Sequence, residues 1–316
     1  MESENKNLNN PFNVGKDIKF LPCHKEVEYI KKFNKNFKAG AYTITGLYSK
    51  NRIEAMLNRQ SKFNEEVDSL KQILMDCGAE GIFTPVISKK AINHRTNELF
   101  IKMQISAGLN RITIIEKDIH QSEEDMELYF KGYIKGFGEN KLFFLLDGGM
   151  VKVSLLGKKL NKLKEMKIDK VILHFAGYWK YKHNFFQLLE MDKNNRPNIL
   201  LSGVWAAISR TSCPALLSLF GVEGLSVGYK WGASPNKDSP QKRLDEIKIE
   251  YAPLNKQETE NLKKEIKVAS NDELYAYLRA EAFFKNKNIL SRLSNLDEEE
   301  LKKEIESKPS LSYFFS

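Results

Sequence analysis

The stretch KLFFLLDGG, residues 141–149, decides the fold. Its five consecutive apolar residues leave no polar face, the pattern of a parallel strand covered on both sides. Seven further runs recur about one helix apart: 41–48 (AYTITGLY), 81–88 (GIFTPVIS), 111–118 (RITIIEKD), 170–178 (KVILHFAGY), 198–204 (NILLSGV), 223–229 (EGLSVGY) and 247–252 (IKIEYA). Most are followed by an amphipathic stretch or a helix-start signal, so the repeating unit is a strand and then a helix. Eight such units predict an α/β fold closed as a (β/α)8 TIM-like barrel. In such a barrel the site lies at the C-terminal ends of the strands.

The intervening segments carry helix punctuation. Residues 52–76 are free of Gly and Pro, repeat apolar residues at helical spacing and end at Gly78, a C-cap candidate. Residues 97–107 precede Gly108, and 122–134 open with Ser122 and Asp125 in a capping pattern. Further helices are expected over 155–166 and 183–191, with a short one over 24–34. The last gap, before the run at 247–252, leaves room only for a short helix over 240–246. Three organisational units follow: a polar lead-in over 1–38, the barrel over 39–254 and a C-terminal helical subdomain over 255–316.

Hydrophobic content of 41% suffices for a packed core and argues against global disorder. The N-terminus (MESENKNLNN) lacks an apolar signal region, and no apolar run is long enough to span a bilayer. A soluble, cytoplasmic protein is the expectation, with no membrane partner. Cys23, Cys77 and Cys213 are far apart with no CxxC pair, so reduced thiols are expected and no structural zinc site. No motif asks for a cofactor.

The net charge of +9 is uneven, because residues 256–316 hold 11 basic and 12 acidic side chains. Residues 141–186 hold 10 lysines against Asp147, Glu165 and Asp169, interleaved with aromatic residues. Such an excess favours an anionic partner, nucleic acid (tRNA or DNA) or a phosphorylated ligand. Alternatively, Lys158, Lys159, Lys162, Lys164 and Lys167 solvate the outer face of one barrel helix.

Residues at strand ends were read together as the candidate site. Asp147 closes an apolar run before Gly148 and Gly149, and suits a general base or an acceptor for a ligand N–H. A cap on the following turn is the structural alternative. Glu116, Asp118 and His120 alternate, so an extended strand would put them on one face, where carboxylate and imidazole could move protons or hold a metal. His174 lies between Leu173 and Phe175, and register decides whether it faces the interior. Asp147, Asp118 and His174 are the catalytic candidates. Gly148, Gly149, Glu116, Tyr178, Lys180, Ser209, Arg210, Tyr229 and Trp231 are the substrate-binding ones. Arg210 precedes a helix start at Thr211-Ser212, a combination suited to an anion.

The segment DGGMVKVSL (147–155) resembles the DSGGFQVFSL segment of the tRNA-guanine transglycosylase family, itself a (β/α)8 barrel. RPNILLSGV (196–204) is similar to that family's RPRYLMGVG strand, and GLSVG (224–228) to its GGLxVGE loop. The resemblance implies a base-binding role for Asp147 with Gly148 and Gly149. The order of the last two segments is reversed here, Tyr229 replaces the loop glutamate, and the zinc cysteines are missing. The resulting expectation is a barrel enzyme acting on a nucleobase or nucleic acid, a transglycosylase-like transferase. A non-catalytic nucleic-acid or protein-binding barrel and a metabolic barrel enzyme for a small phosphorylated substrate are the alternatives.

Overall fold

The computed structural model describes residues 19–37, 39–78, 80–87, 93–148, 151–174, 196–202, 224–226, 256–270, 273, 274, 277, 296, 297, 299, 300 and 303. Its elements run in order β1 (Lys19–Leu21), α1 (His24–Phe33), β2 (Ala41–Ile44), β3 (Leu47–Tyr48), α2 (Lys50–Asn58), α3 (Gln60–Cys77), β4 (Glu80–Phe83), β5 (Val86–Ile87), α4 (His94–Ala107), β6 (Ile112–Ile115), α5 (Glu123–Phe137), β7 (Leu142–Asp147), α6 (Val153–Glu165), β8 (Lys170–His174), β9 (Asn198–Ser202), β10 (Gly224–Ser226) and α7 (Lys256–Glu265). Short β3 continues β2 and short β5 continues β4, so the strands form eight staves.

The fold is a (β/α)8 barrel. Six staves form one parallel sheet in the order β1-β10-β9-β8-β7-β6, and β2 pairs with β4. A parallel bridge between Cys23 and Thr43 joins β1 to β2, and Arg111 reaches from the start of β6 to Glu80 on β4 at 3.0 Å. The first stave is Lys19–Leu21, paired with β10, and it falls in the segment read from sequence as a lead-in. Three residues are too few to show a period. The run at 247–252 lies outside the described residues.

Among the described residues no ladder joins β4 to β6. Two side chains of α4 pair with the exposed edge of β6 instead. The Gln104 amide donates to the Thr113 carbonyl at 3.0 Å and accepts from the Thr113 N–H at 2.7 Å. Asn97 does the same at Ile115, accepting its N–H at 3.3 Å and donating to its carbonyl. Spaced seven residues apart, two helical turns, both amides lie on one face of α4. They satisfy edge groups that would otherwise be buried without partners.

Helix ends follow local chemistry. Ser49, Asn93 and Ser122 each accept a backbone N–H three residues on, and Gly78 (φ 60°) and Gly108 (φ 84°) end α3 and α4 in the left-handed conformation. The helix expected over 52–76 is divided at Arg59, whose backbone is extended. The core lies between strands and helices, where Phe83 and Phe100, and Phe130 and Phe144, stack fully buried. No helix among the described residues is long and apolar enough to cross a membrane.

Candidate active site

Ring contacts fix which strand residues face inward. Phe144 packs on Phe130 of α5 with centroids 4.6 Å apart, so Phe144 faces the helices. Alternation then turns Phe143, Leu145 and Asp147 toward the interior. Register carries this across the sheet, since Asp147 pairs with His174 and His174 with Ser202. Asp147, His174 and Ser202 therefore form one inward-facing row at the C-terminal ends of β7, β8 and β9. Gly148 extends the ladder by donating its N–H to the His174 carbonyl at 2.9 Å.

His174 Nδ1 lies 3.2 Å from Ser202 Oγ. Its Nε2 is buried and has no hydrogen-bond partner among the described residues. Burial lowers its pKa from 6.5 to about 4, so the imidazole is neutral at physiological pH. Asp147 is half-buried, while Ser202 is fully buried against the ring. A neutral imidazole beside a carboxylate at a barrel mouth is equipped for general acid–base work. Asp147 is legible as the end of its apolar run, and His174 as a polar residue inside one whose facing register decides. Ser202 was missed, although it stands inside its run as His174 does.

Glu116 lies on the other side of the wall. Strand β6 ends at Ile115, and the Glu116 carboxylate reaches Lys159 Nζ of α6 at 2.5 Å. It also accepts the Asp147 N–H at 2.7 Å, and Lys159 donates to the Ile119 carbonyl at 3.0 Å. Both side chains are fully buried. Burial pushes the Glu116 pKa up, and Lys159 pulls it back. The substrate-binding role expected for Glu116 is replaced by a structural one, tying the turns after β6 and β7 to α6. Asp118 is exposed, beyond the strand, and accepts the N–H of His120 at 2.8 Å as a turn cap. Glu116, Asp118 and His120 do not share a strand face. Among the described residues no three His, Cys, Asp or Glu side chains group as a metal site. Gly149, Tyr178, Lys180, Ser209, Arg210, Tyr229 and Trp231 lie outside the described residues.

The lysines of α6 are held within the molecule. Lys158 meets Glu123 at 3.4 Å, Lys162 meets Glu165 at 2.8 Å, and Lys164 meets Asp169 at 3.7 Å, while Lys159 is buried on Glu116. The apparent basic stripe is therefore matched by carboxylates of α5, α6 and the turn after α6.

No family model matches the chain, and neither does any curated protein. Solved structures of similar winding include a protein assigned as a fructose-1,6-biphosphate aldolase from Coccidioides immitis (TM-score 0.48, 12% identity, covering 89% of this chain and 93% of that one). Others are the HMG-CoA lyase of Bacillus subtilis (0.46, 12%, 96% and 99%) and a fructose-bisphosphate aldolase of Campylobacter jejuni (0.45, 12%, 93% and 94%). At this level the likeness concerns strand–helix winding and no residue of the site. The resemblance to tRNA-guanine transglycosylases is corrected: no family model matches the chain, and the solved structures of similar winding carry the names of aldolases and lyases. Its matched pieces are what buried parallel strands produce: apolar runs interrupted by small residues at a turn. The transferase assignment and the nucleic-acid partner fall with it.

Proposed function

We propose that this barrel is a metabolic enzyme acting on a small phosphorylated substrate by general acid–base catalysis. The observation that carries the reading is the inward row Asp147–His174–Ser202, with a buried imidazole nitrogen left unpartnered. Asp147 takes a proton from the substrate, and neutral His174 polarises or protonates the neighbouring oxygen. Ser202 fixes the ring. Arg210 and Ser209, which precede the helix-start signal Thr211-Ser212 in the sequence, are the proposed holders of the phosphate. Residues 255–316 are proposed as a helical subdomain on the barrel, supported by Tyr277 meeting Phe33 of α1 edge-on at 5.4 Å.

The test is solvent exchange in D2O across a panel of small phosphorylated carbonyl compounds, followed by proton NMR. Loss of a carbon-bound proton signal is expected for at least one compound, abolished by both Asp147→Asn and His174→Gln. No exchange with any compound, or exchange retained in both variants, would overturn the reading.

A further inference from the structure

The last rung between β6 and β7 is made by a side chain. The ladder of these strands ends at Ile115 beside Leu145, and the Glu116 N–H still donates to the Leu145 carbonyl at 3.0 Å. In a regular parallel ladder the next bond would run from the Asp147 N–H to the Glu116 carbonyl. The Asp147 N–H donates instead to Oε1 of the Glu116 carboxylate at 2.7 Å. A charged acceptor thus stands where the backbone would have offered a neutral one, and the residue it holds is the proposed base.

Burial makes this substitution costly. Glu116 is 1% exposed and its partner Lys159 is 0% exposed. Taking both charges out of water costs far more than an ordinary rung, and a buried ion pair seldom repays that in stability. Lys159 meets the other carboxylate oxygen, Oε2, at 2.5 Å and the Ile119 carbonyl at 3.0 Å. Both carboxylate oxygens are therefore filled, and the one that meets Asp147 is fixed in place. Hydrogen bonds to a carboxylate are shorter and stronger than those to a carbonyl.

The charge of Glu116 also reaches Asp147, since the two carboxylates repel, with Lys159 on the oxygen that does not meet Asp147. Of the other titratable groups on the elements around them, His174 is neutral at physiological pH, and Lys117, Asp118 and His120 are exposed. Between α5 and α6, Glu123 meets Lys158 at 3.4 Å and Glu127 meets Lys162 at 3.8 Å.

We infer that Glu116 and Lys159 are positioning residues for Asp147, an ionised pair behind the barrel wall that fixes the backbone of the base and holds a negative charge at its back. This rests on the acid–base reading for the task of Asp147 and adds what fits it to that task. A fixed backbone aims the carboxylate at one point of the mouth. A negative charge behind it strengthens its hold on a proton, as a general base working near neutral pH requires.

The experiment compares the full-length parent with the double variant Glu116→Gln/Lys159→Met, in which a neutral amide still accepts the Asp147 N–H. The labelled carboxyl carbon of Asp147, assigned against Asp147→Asn, is titrated by NMR with no substrate present. Its midpoint is expected to fall by about half a pH unit or more in the double variant, with the fold retained. For a compound whose proton the parent exchanges with D2O, the rate should drop about tenfold with KM little changed. In the parent itself the Asp147 amide proton should lie at low field, as an N–H bound to a carboxylate does, a reading that needs no variant to fold.

An unmoved midpoint in a folded double variant would overturn the inference and leave the pair a structural tie. An Asp147 amide proton at ordinary field in the parent would overturn it as well. The acid–base reading fails separately, by the D2O exchange test. Exchange that needs Asp147 and His174 beside an unmoved midpoint upholds that reading and sinks only this one.

Discussion

Glu116 and His174 are both buried polar groups at the tops of barrel strands, on opposite sides of the same wall. Glu116 faces the helices and is surrounded: a lysine at 2.5 Å and a backbone N–H at 2.7 Å fill its carboxylate. His174 faces the interior with one nitrogen on Ser202 and the other without a partner among the described residues. A buried polar group with every partner present stabilises one arrangement of the chain. One lacking a partner costs stability and is retained for what it meets from outside.

The largest expected effect breaks the satisfied side. Lys159→Met leaves Glu116 buried without its cation and should lower stability by about 3–5 kcal/mol in denaturant melts. Pairing it with Glu116→Gln should restore all but about 1 kcal/mol, because the neutral amide still accepts the Asp147 N–H. Full destabilisation in the double variant would mean that charge, not shape, holds these turns.

The unsatisfied side is read by pH. The His174 pKa falls from 6.5 to about 4 on folding, so between these values the unfolded chain binds more protons. The contribution of His174 to stability is complete above pH 6.5 and is lost as pH falls toward 4, a change on the order of 3 kcal/mol. His24, lowered by burial to about 4, works in the same direction. Glu116, raised by burial, works in the opposite one. The informative quantity is therefore the difference between the parent and His174→Gln. From pH 7 to pH 4 the variant should gain on the parent, and a pH-independent difference would show that His174 titrates normally.

Gln104→Leu removes both partners of the Thr113 backbone and should cost about 2 kcal/mol, with faster amide exchange at Thr113. Smallest of all, Thr113→Val should change stability by less than about 0.5 kcal/mol or raise it, since the hydroxyl it removes has no partner. A cost approaching that of Gln104→Leu would erase the contrast between satisfied and unsatisfied groups.

The barrel was legible because its longer staves are nearly unbroken apolar runs, as in 142–146. The first stave was not, because three residues between polar segments show neither run nor alternation. In the site, Asp147 stood out as a polar residue ending an apolar run, and His174 as a polar residue inside one, its facing left to register. Glu116 was read as a site residue because register is not visible in sequence: Ile114 pairs with outward Phe144, so Glu116, two residues on, faces the helices, and β6 stops before Asp118 and His120. Lys159 was grouped with solvating lysines, yet Leu156, Lys159, Leu160 and Leu163 follow the spacing of a buried helical stripe. A cation inside such a stripe is itself a sign of a buried carboxylate across from it.

The junction between β4 and β6 has a consequence for how this protein can vary. Backbone ladders form whatever the side chains are, so most seams of the ring tolerate sequence drift. Here the stitching is done by side chains, Asn97 and Gln104 of α4 on the edge of β6 and Arg111 on Glu80. Closure of the ring at that point is written in a few codons, and drift at any one of them loosens a seam that elsewhere rests on backbone alone.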